Sequence, residues 1–244
     1  MKIDASLTDR TRSLSVAALL AVGAIFVGSV VLLVFAVPLS LLGVSLENPA
    51  VRIGLGAVVL QGITFGGIAL LYLRVSGLSV DFLDLRTPSL RDLGVALGGF
   101  AAMMVSILSV SVVISALGIE SAQNRIVSVG QGSPEVFLLL VPLSFLLIGP
   151  GEELLYRGVI QGTLTEEFSV PSAIVLASGL FAVIHTFSLQ GEGKIVYILV
   201  VFVLALVLGF VYEYTENLVV PALMHGAYNA VLFGSSYLQM TNAL

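Results

Sequence analysis

From Leu14 to about Leu42 the sequence runs without one charged side chain, and further apolar stretches follow near residues 53 to 73, 93 to 117, 136 to 160, 172 to 189, 195 to 212 and 217 to 237. Crossing the hydrocarbon of a bilayer takes about 20 apolar residues at roughly 1.5 Å of rise each. The stretches are too long and too uniformly apolar to alternate like barrel strands. With 58% hydrophobic residues, 10% charged residues and a mean hydropathy of +1.10, the chain carries more apolar surface than one soluble core of 244 residues could hide. The expected fold is therefore all-α, a polytopic transmembrane bundle of about seven helices. The first run is too long for a signal-peptide core and has no small-residue cleavage pattern, so it reads as the first span.

Pro38, Pro49, Pro88, Pro134 and Pro171 fall near the expected helix boundaries, where a missing N–H costs least. Gly149-Pro150-Gly151 is read as the one breaker inside a span, expected to kink or interrupt the fourth helix just before Glu152. Basic residues set the orientation. With the N-terminus inside, that side collects Lys2, Arg10, Arg12, Arg74, Arg86, Arg91 and Arg157, against Arg52, Arg125 and Lys194 outside. The expectation is an integral protein of the cell membrane with a cytoplasmic N-terminus. Only two of the ten basic residues are lysine and no basic patch exists, which sets nucleic acid aside as a partner. Without cysteine, the chain has no disulfides, no thiolate metal site and no cysteine nucleophile.

The ionisable groups inside or at the edge of apolar stretches are Glu152, Glu153, Arg157, His185, Glu213 and His225. A charge in the hydrocarbon costs about 2.5 kcal/mol or more even on mild scales, so such residues mark function. Glu152 and Glu153 point about 100° apart on a helix. Glu153 and Arg157 stand at i and i+4, where an ion pair would neutralise both and leave Glu152 free. The chain's two histidines both lie in spans, and Asn229 shares a helix face with His225. A carboxylate and a neutral imidazole on neighbouring helices are equipped to hold and deprotonate a water. A second imidazole and an amide are equipped to stabilise a tetrahedral oxyanion. Glu152, His185 and His225 are equally a two-histidine, one-carboxylate ligand set for a divalent metal such as zinc. The sequence leaves both routes open.

Glu-Glu-x-x-x-Arg at 152 to 157, Phe-x-x-x-His at 181 to 185 and His-x-x-x-Asn at 225 to 229, in this order and in a membrane setting, resemble the CPBP (Abi) family of intramembrane proteases. That family includes the CAAX prenyl proteases of the Ras-converting-enzyme type. The resemblance covers roughly residues 80 to 237, including Leu-Arg-Thr-Pro-Ser-Leu-Arg-Asp at the entry to the third span. It implies a transmembrane hairpin region over 1–80, a protease core over 81–237 and a short tail over 238–244. It further implies an endopeptidase in which Glu152 and His185 activate water and His225 and Asn229 stabilise the oxyanion. Glu153 and Arg157 would support them. The implied partners are membrane lipid and a membrane-proximal peptide or prenylated CAAX-like protein.

Two rival readings stand beside it. Buried Glu and His residues also serve proton relays, and a Gly-Pro-Gly interruption suits a discontinuous transport helix, although the chain has no repeated halves. A protease-like scaffold could also bind peptides without cutting them. Counted from the expected cytoplasmic edges, Glu152 and His225 fall in the inner half of the bilayer while His185 falls about 20 Å deep. A tilted fifth helix, or one that enters later, would remove that mismatch.

Overall fold

The computed structural model describes residues 6–242 as an all-helical bundle, as the apolar runs require; Lys2 lies outside the described residues. The long helices are α1 (Leu7–Leu41), α2 (Pro49–Ser76), α3 (Leu90–Leu117), α5 (Glu135–Glu167), α6 (Val170–Ile184), α7 (Lys194–Thr215) and α8 (Val219–Met240). A short α4 (Arg125–Gly132) precedes α5. Gln123–Asn124 and Leu189–Gln190 pair as an antiparallel two-residue ribbon beyond the site end of α6. Among the described residues six helices are long and apolar enough to cross a membrane: α1, α2, α3, α5, α6 with the turn that follows it, and α7. The expected seventh span, α8, forms a helix of 22 residues, but His225, Asn229, Ser235, Ser236 and Gln239 leave it less apolar than the other six.

The bundle is built for lipid outside. Leu19, Phe26, Leu33 and Val34 of α1 stand exposed, while its buried face is Ser13, Ala17, Ala21, Ala24 and Gly28. Lipid tails match Leu in polarity, so helices associate through close approach and polar pairing rather than through expulsion of water. Local signals set the boundaries. Asn48 caps α2 by accepting from the N–H groups of Ala50 and Val51, and Gly77 ends it at φ +70°. Ser89 and Asp92 form a reciprocal capping box on α3. In the same loop Arg86 reaches Asp92 at 2.8 Å and donates to the carbonyls of Thr215 and Glu216, so it closes the C-terminus of α7.

Three sequence expectations change. Gly149-Pro150-Gly151 does not interrupt its helix, because all of α5 keeps helical dihedrals through this segment. Its hydrogen bonding instead widens to π turns over Ser144–Ile148 and Leu154–Gln161, the first ending two residues before Pro150, which has no N–H to give. Proline inside helices is also commoner than expected, since Pro38 lies within α1 and Pro142 within α5. Arg157 is fully buried, so it is no loop cation and does not count toward orientation.

The depth mismatch also resolves. Helix α5 continues to Glu167 rather than stopping near 160, so Glu152 and His185 each lie about 15 residues from the adjoining ends of α5 and α6, or about 22 Å. Helix α8 starts beside the buried Asn217 and Leu218, so His225 needs only two turns to reach the same region.

The helices meet where side chains are absent. A Cβ on Gly149 would stand 2.8 Å from the Ala222 carbonyl of α8, one on Gly226 would stand 3.0 Å from the Ser144 carbonyl of α5, and one on Gly151 would run into the Gln61 carbonyl of α2. Backbone atoms have no rotamer by which to yield. Gly151→Ala is therefore expected to destabilise the protein by about 1–3 kcal/mol, seen as a lower thermal midpoint in detergent. Gly94→Ala, which meets nothing within 4 Å, should leave the midpoint level or raise it.

Candidate active site

Helix α5 presents Glu152 and Glu153 toward α8 at the point where the glycines let the two backbones touch. Glu153 is wholly buried and uses both oxygens: Oε2 accepts from Arg157 Nε at 3.0 Å, and Oε1 accepts from His225 Nδ1 at 2.8 Å. Arg157, also wholly buried, donates through Nη1 to Ser178 of α6 at 3.4 Å and lies 5.3 Å over the Phe181 ring. The i to i+4 ion pair thus forms. Its carboxylate is shared with a histidine 72 residues away, a contact that sequence spacing does not show.

Glu152 takes the other side of the same imidazole. Its Oε2 stands 3.8 Å from His225 Nε2, and the residue keeps 9% exposure. With Nδ1–H given to Glu153, Nε2 is the nitrogen that faces Glu152. His185 follows α6 at the start of a 3-10 turn, half-buried, and its Nδ1 lies 2.7 Å from the Phe181 carbonyl. A carbonyl only accepts, so Nδ1 carries the proton and the Nε2 lone pair is left for other work. The Phe181 ring lies between the histidines, 4.8 Å from His185 and 5.9 Å from His225 by ring centroids. No ion pair among the described residues joins Glu152 to His185, although the carboxylate acts on this imidazole electrostatically across the intervening space. Asn229 lies one turn beyond His225 on the same face, half-buried, with no side-chain hydrogen bond among the described residues.

Four residues that the motif reading did not single out for a role complete the surroundings. Ser178 holds Arg157, and Phe181 holds both histidines in place. Tyr156, one turn beyond Glu152, has its hydroxyl buried without a protein partner, as is Arg157 Nη2. Gln161 bridges α5 to α7 by donating to the Gly209 carbonyl at 3.1 Å and to Glu213 at 2.7 Å, which accounts for Glu213 at the edge of its span. The signal for Ser178, Tyr156 and Gln161 was a polar atom inside an apolar run.

Among the described residues no three His, Asp or Glu side chains converge so as to hold a metal ion. The donor types of Glu152, His185 and His225 suit a metal, since Nδ1 of each histidine goes to a protein acceptor and leaves Nε2 open, but Glu152 closes on His225 and not on His185. A cleft of about 690 Å³ lies apart from these residues, among Asp81, Asp84, Glu166, Glu167, Glu213 and Glu216. There burial, with Glu216 acting the same way, raises the Asp84 carboxyl above its ordinary value.

Fold and site together define an integral membrane protein with a carboxylate–imidazole cluster enclosed by its helices. Residues 134–231 match the Rce1-like family, described as type II CAAX prenyl endopeptidase Rce1-like. That segment holds every site residue named above, and the likeness carried by the three motifs is shown there. The chain is also similar to the UPF0177 protein YxdF of Lactococcus lactis subsp. lactis (strain IL1403), 32% identical over 102 residues. The aligned part is 42% of this chain and 48% of that protein, so the chain spans about half the length of the curated relative it matches. No solved structure matches the chain.

The shared Glu153 carboxylate generates a stability prediction. Glu153→Gln strips the anion from a buried guanidinium and an imidazole, and is expected to cost about 3–5 kcal/mol. Replacing both members of the pair, Glu153→Gln with Arg157→Met, should recover much of that loss in the thermal midpoint.

Proposed function

We propose that the chain is an intramembrane endopeptidase of the CAAX-protease type, with Glu152 and His185 activating water and His225 and Asn229 stabilising the oxyanion. The observation that carries this reading is the division of labour between the two imidazoles. His185 gives its Nδ1 proton to a backbone carbonyl and keeps a basic Nε2, whereas His225 has a carboxylate at each nitrogen. The first arrangement suits a hydrogen-bond acceptor that holds a water for Glu152 to deprotonate. The second suits an imidazolium that donates to developing negative charge.

In this scheme a water held between Glu152 and His185 Nε2 loses a proton to Glu152 as its oxygen attacks the scissile carbonyl. The carbonyl oxygen becomes an oxyanion and receives hydrogen bonds from His225 Nε2–H and the Asn229 amide. The proton on Glu152 then passes to the departing amine as the C–N bond breaks. Glu153, with Arg157 and Ser178 behind it, orients the His225 ring throughout. The unpartnered Tyr156 hydroxyl, buried one turn from Glu152, supports a site that admits water, since buried polar groups find partners in protein or in water. The interruption that favoured a transport helix is not formed, and α5 stays continuous.

The substrate is a peptide at the membrane, with a prenylated CAAX-like tail as the family likeness suggests. Purified protein is expected to cleave such a peptide in detergent. Glu152→Ala and His185→Ala should each lower the rate by about 10²-fold or more while the thermal midpoint holds. Full activity in both variants would end the enzymatic reading, and a protein that binds the peptide equally well without cutting it would be a scaffold. Stripping divalent metal, checked by metal analysis, is expected to leave the rate unchanged, provided the chelator does not itself occupy the site. Loss of activity that returns with zinc would replace the water-activation scheme with a metal one.

A further inference from the structure

A second concave surface, unrelated to the cluster, runs along the outside of the bundle between α3 and α7. This groove of about 530 Å³ falls within the range of small-molecule sites and is lined by Val95, Gly98, Ala102, Val207, Phe210 and Tyr214 among others. Gly98 forms an open floor, with nothing within 4 Å of where a Cβ would stand, and Phe210 and Tyr214 stack 6.1 Å apart as one wall. The walls are apolar along their length, and the polar group is at one end. There Arg91, one turn before Val95, lies 5.2 Å over the Tyr214 ring and donates to its hydroxyl at 3.1 Å. The neighbouring Arg86 is neutralised by Asp92, whereas Arg91 makes no ion pair among the described residues.

We infer that this groove seats an acyl chain of an anionic phospholipid, with the headgroup phosphate on the Arg91 guanidinium. Charge complementarity selects the occupant. An apolar trough open to lipid accepts any acyl chain, but a cation at its head, pinned by an aromatic ring with most N–H donors still free, favours a headgroup that brings negative charge and no ammonium. The inference is independent of proteolysis.

The full-length protein is reconstituted in nanodiscs of mixed phosphatidylglycerol and phosphatidylcholine, and the lipids that stay bound are read by native mass spectrometry. Wild type is expected to retain phosphatidylglycerol over phosphatidylcholine. Arg91→Gln should cut that preference about fivefold, the worth of one basic side chain near an anionic surface. Gly98→Leu, which fills the floor, should lose both lipids, while Arg74→Gln, an exposed cation on another helix, should change nothing. The thermal midpoint is followed in each variant, so that loss of lipid is separated from loss of fold. Equal retention by wild type and Arg91→Gln would overturn the assignment. So would displacement of the lipid by inorganic phosphate alone, or a wild-type dimer that Gly98→Leu converts to monomer with no lipid lost, which would give the groove to a second copy of the chain.

Discussion

A carboxylate with no water around it has to find its counter-charge inside the protein, and Glu153 finds Arg157, with His225 as a second hydrogen-bond donor. Its oxygens reach Arg157 along the same helix and His225 on another, and Arg157 in turn reaches Ser178 on a third. The cost of an uncompensated ion in a low-dielectric interior is several kcal/mol, larger than most single packing contacts. Helices α5, α6 and α8 are therefore held in one arrangement by charge as well as by shape. The same bond sets the chemistry, because the nitrogen of His225 that Glu153 does not take is the one beside Glu152.

Charge alone could not bring the groups so close. The contact needs α5 and α8 to touch backbone to backbone, which Gly149 and Gly226 allow, and α5 to meet α2 at Gly151. Small residues on α1 do the same on the opposite flank. In lipid, where burying a leucine gains little, surfaces without side chains are the means of close packing. The large apolar residues are spent on the outside, where Leu19, Phe26 and Leu97 meet acyl chains. Stability and site geometry thus come from the same few glycines, and the widened π turns on either side of Pro150 let α5 keep its course past them.

Much of the site was legible because charge is rare in this chain. Glu152, Glu153, Arg157, His185 and His225 stand out in a sequence with so few ionisable groups, and the spacing of Glu153 and Arg157 foretold their pair. Local spacing could not show that Glu153 also holds His225, nor that Glu152 closes on His225 while His185 turns to a backbone carbonyl. Those depend on how far the helices are rotated about their axes. An apolar run that ends near residue 160 puts Arg157 at a membrane edge, whereas the helix continues to Glu167 and buries it. Glycine and proline are helix breakers in water, which is why Gly-Pro-Gly suggests a kink or an interruption, whereas here altered hydrogen bonding keeps the segment helical without an interruption.

By itself the sequence determined the solvent, the helical class and the identity of the polar groups that must be enclosed, since hydrocarbon tolerates neither an unpaired backbone nor a stray charge. Tertiary structure decided which partner each of those groups received. A carboxylate will accept from any donor within about 3 Å, and only the close glycine contacts between α5 and α8 put the His225 ring between two of them.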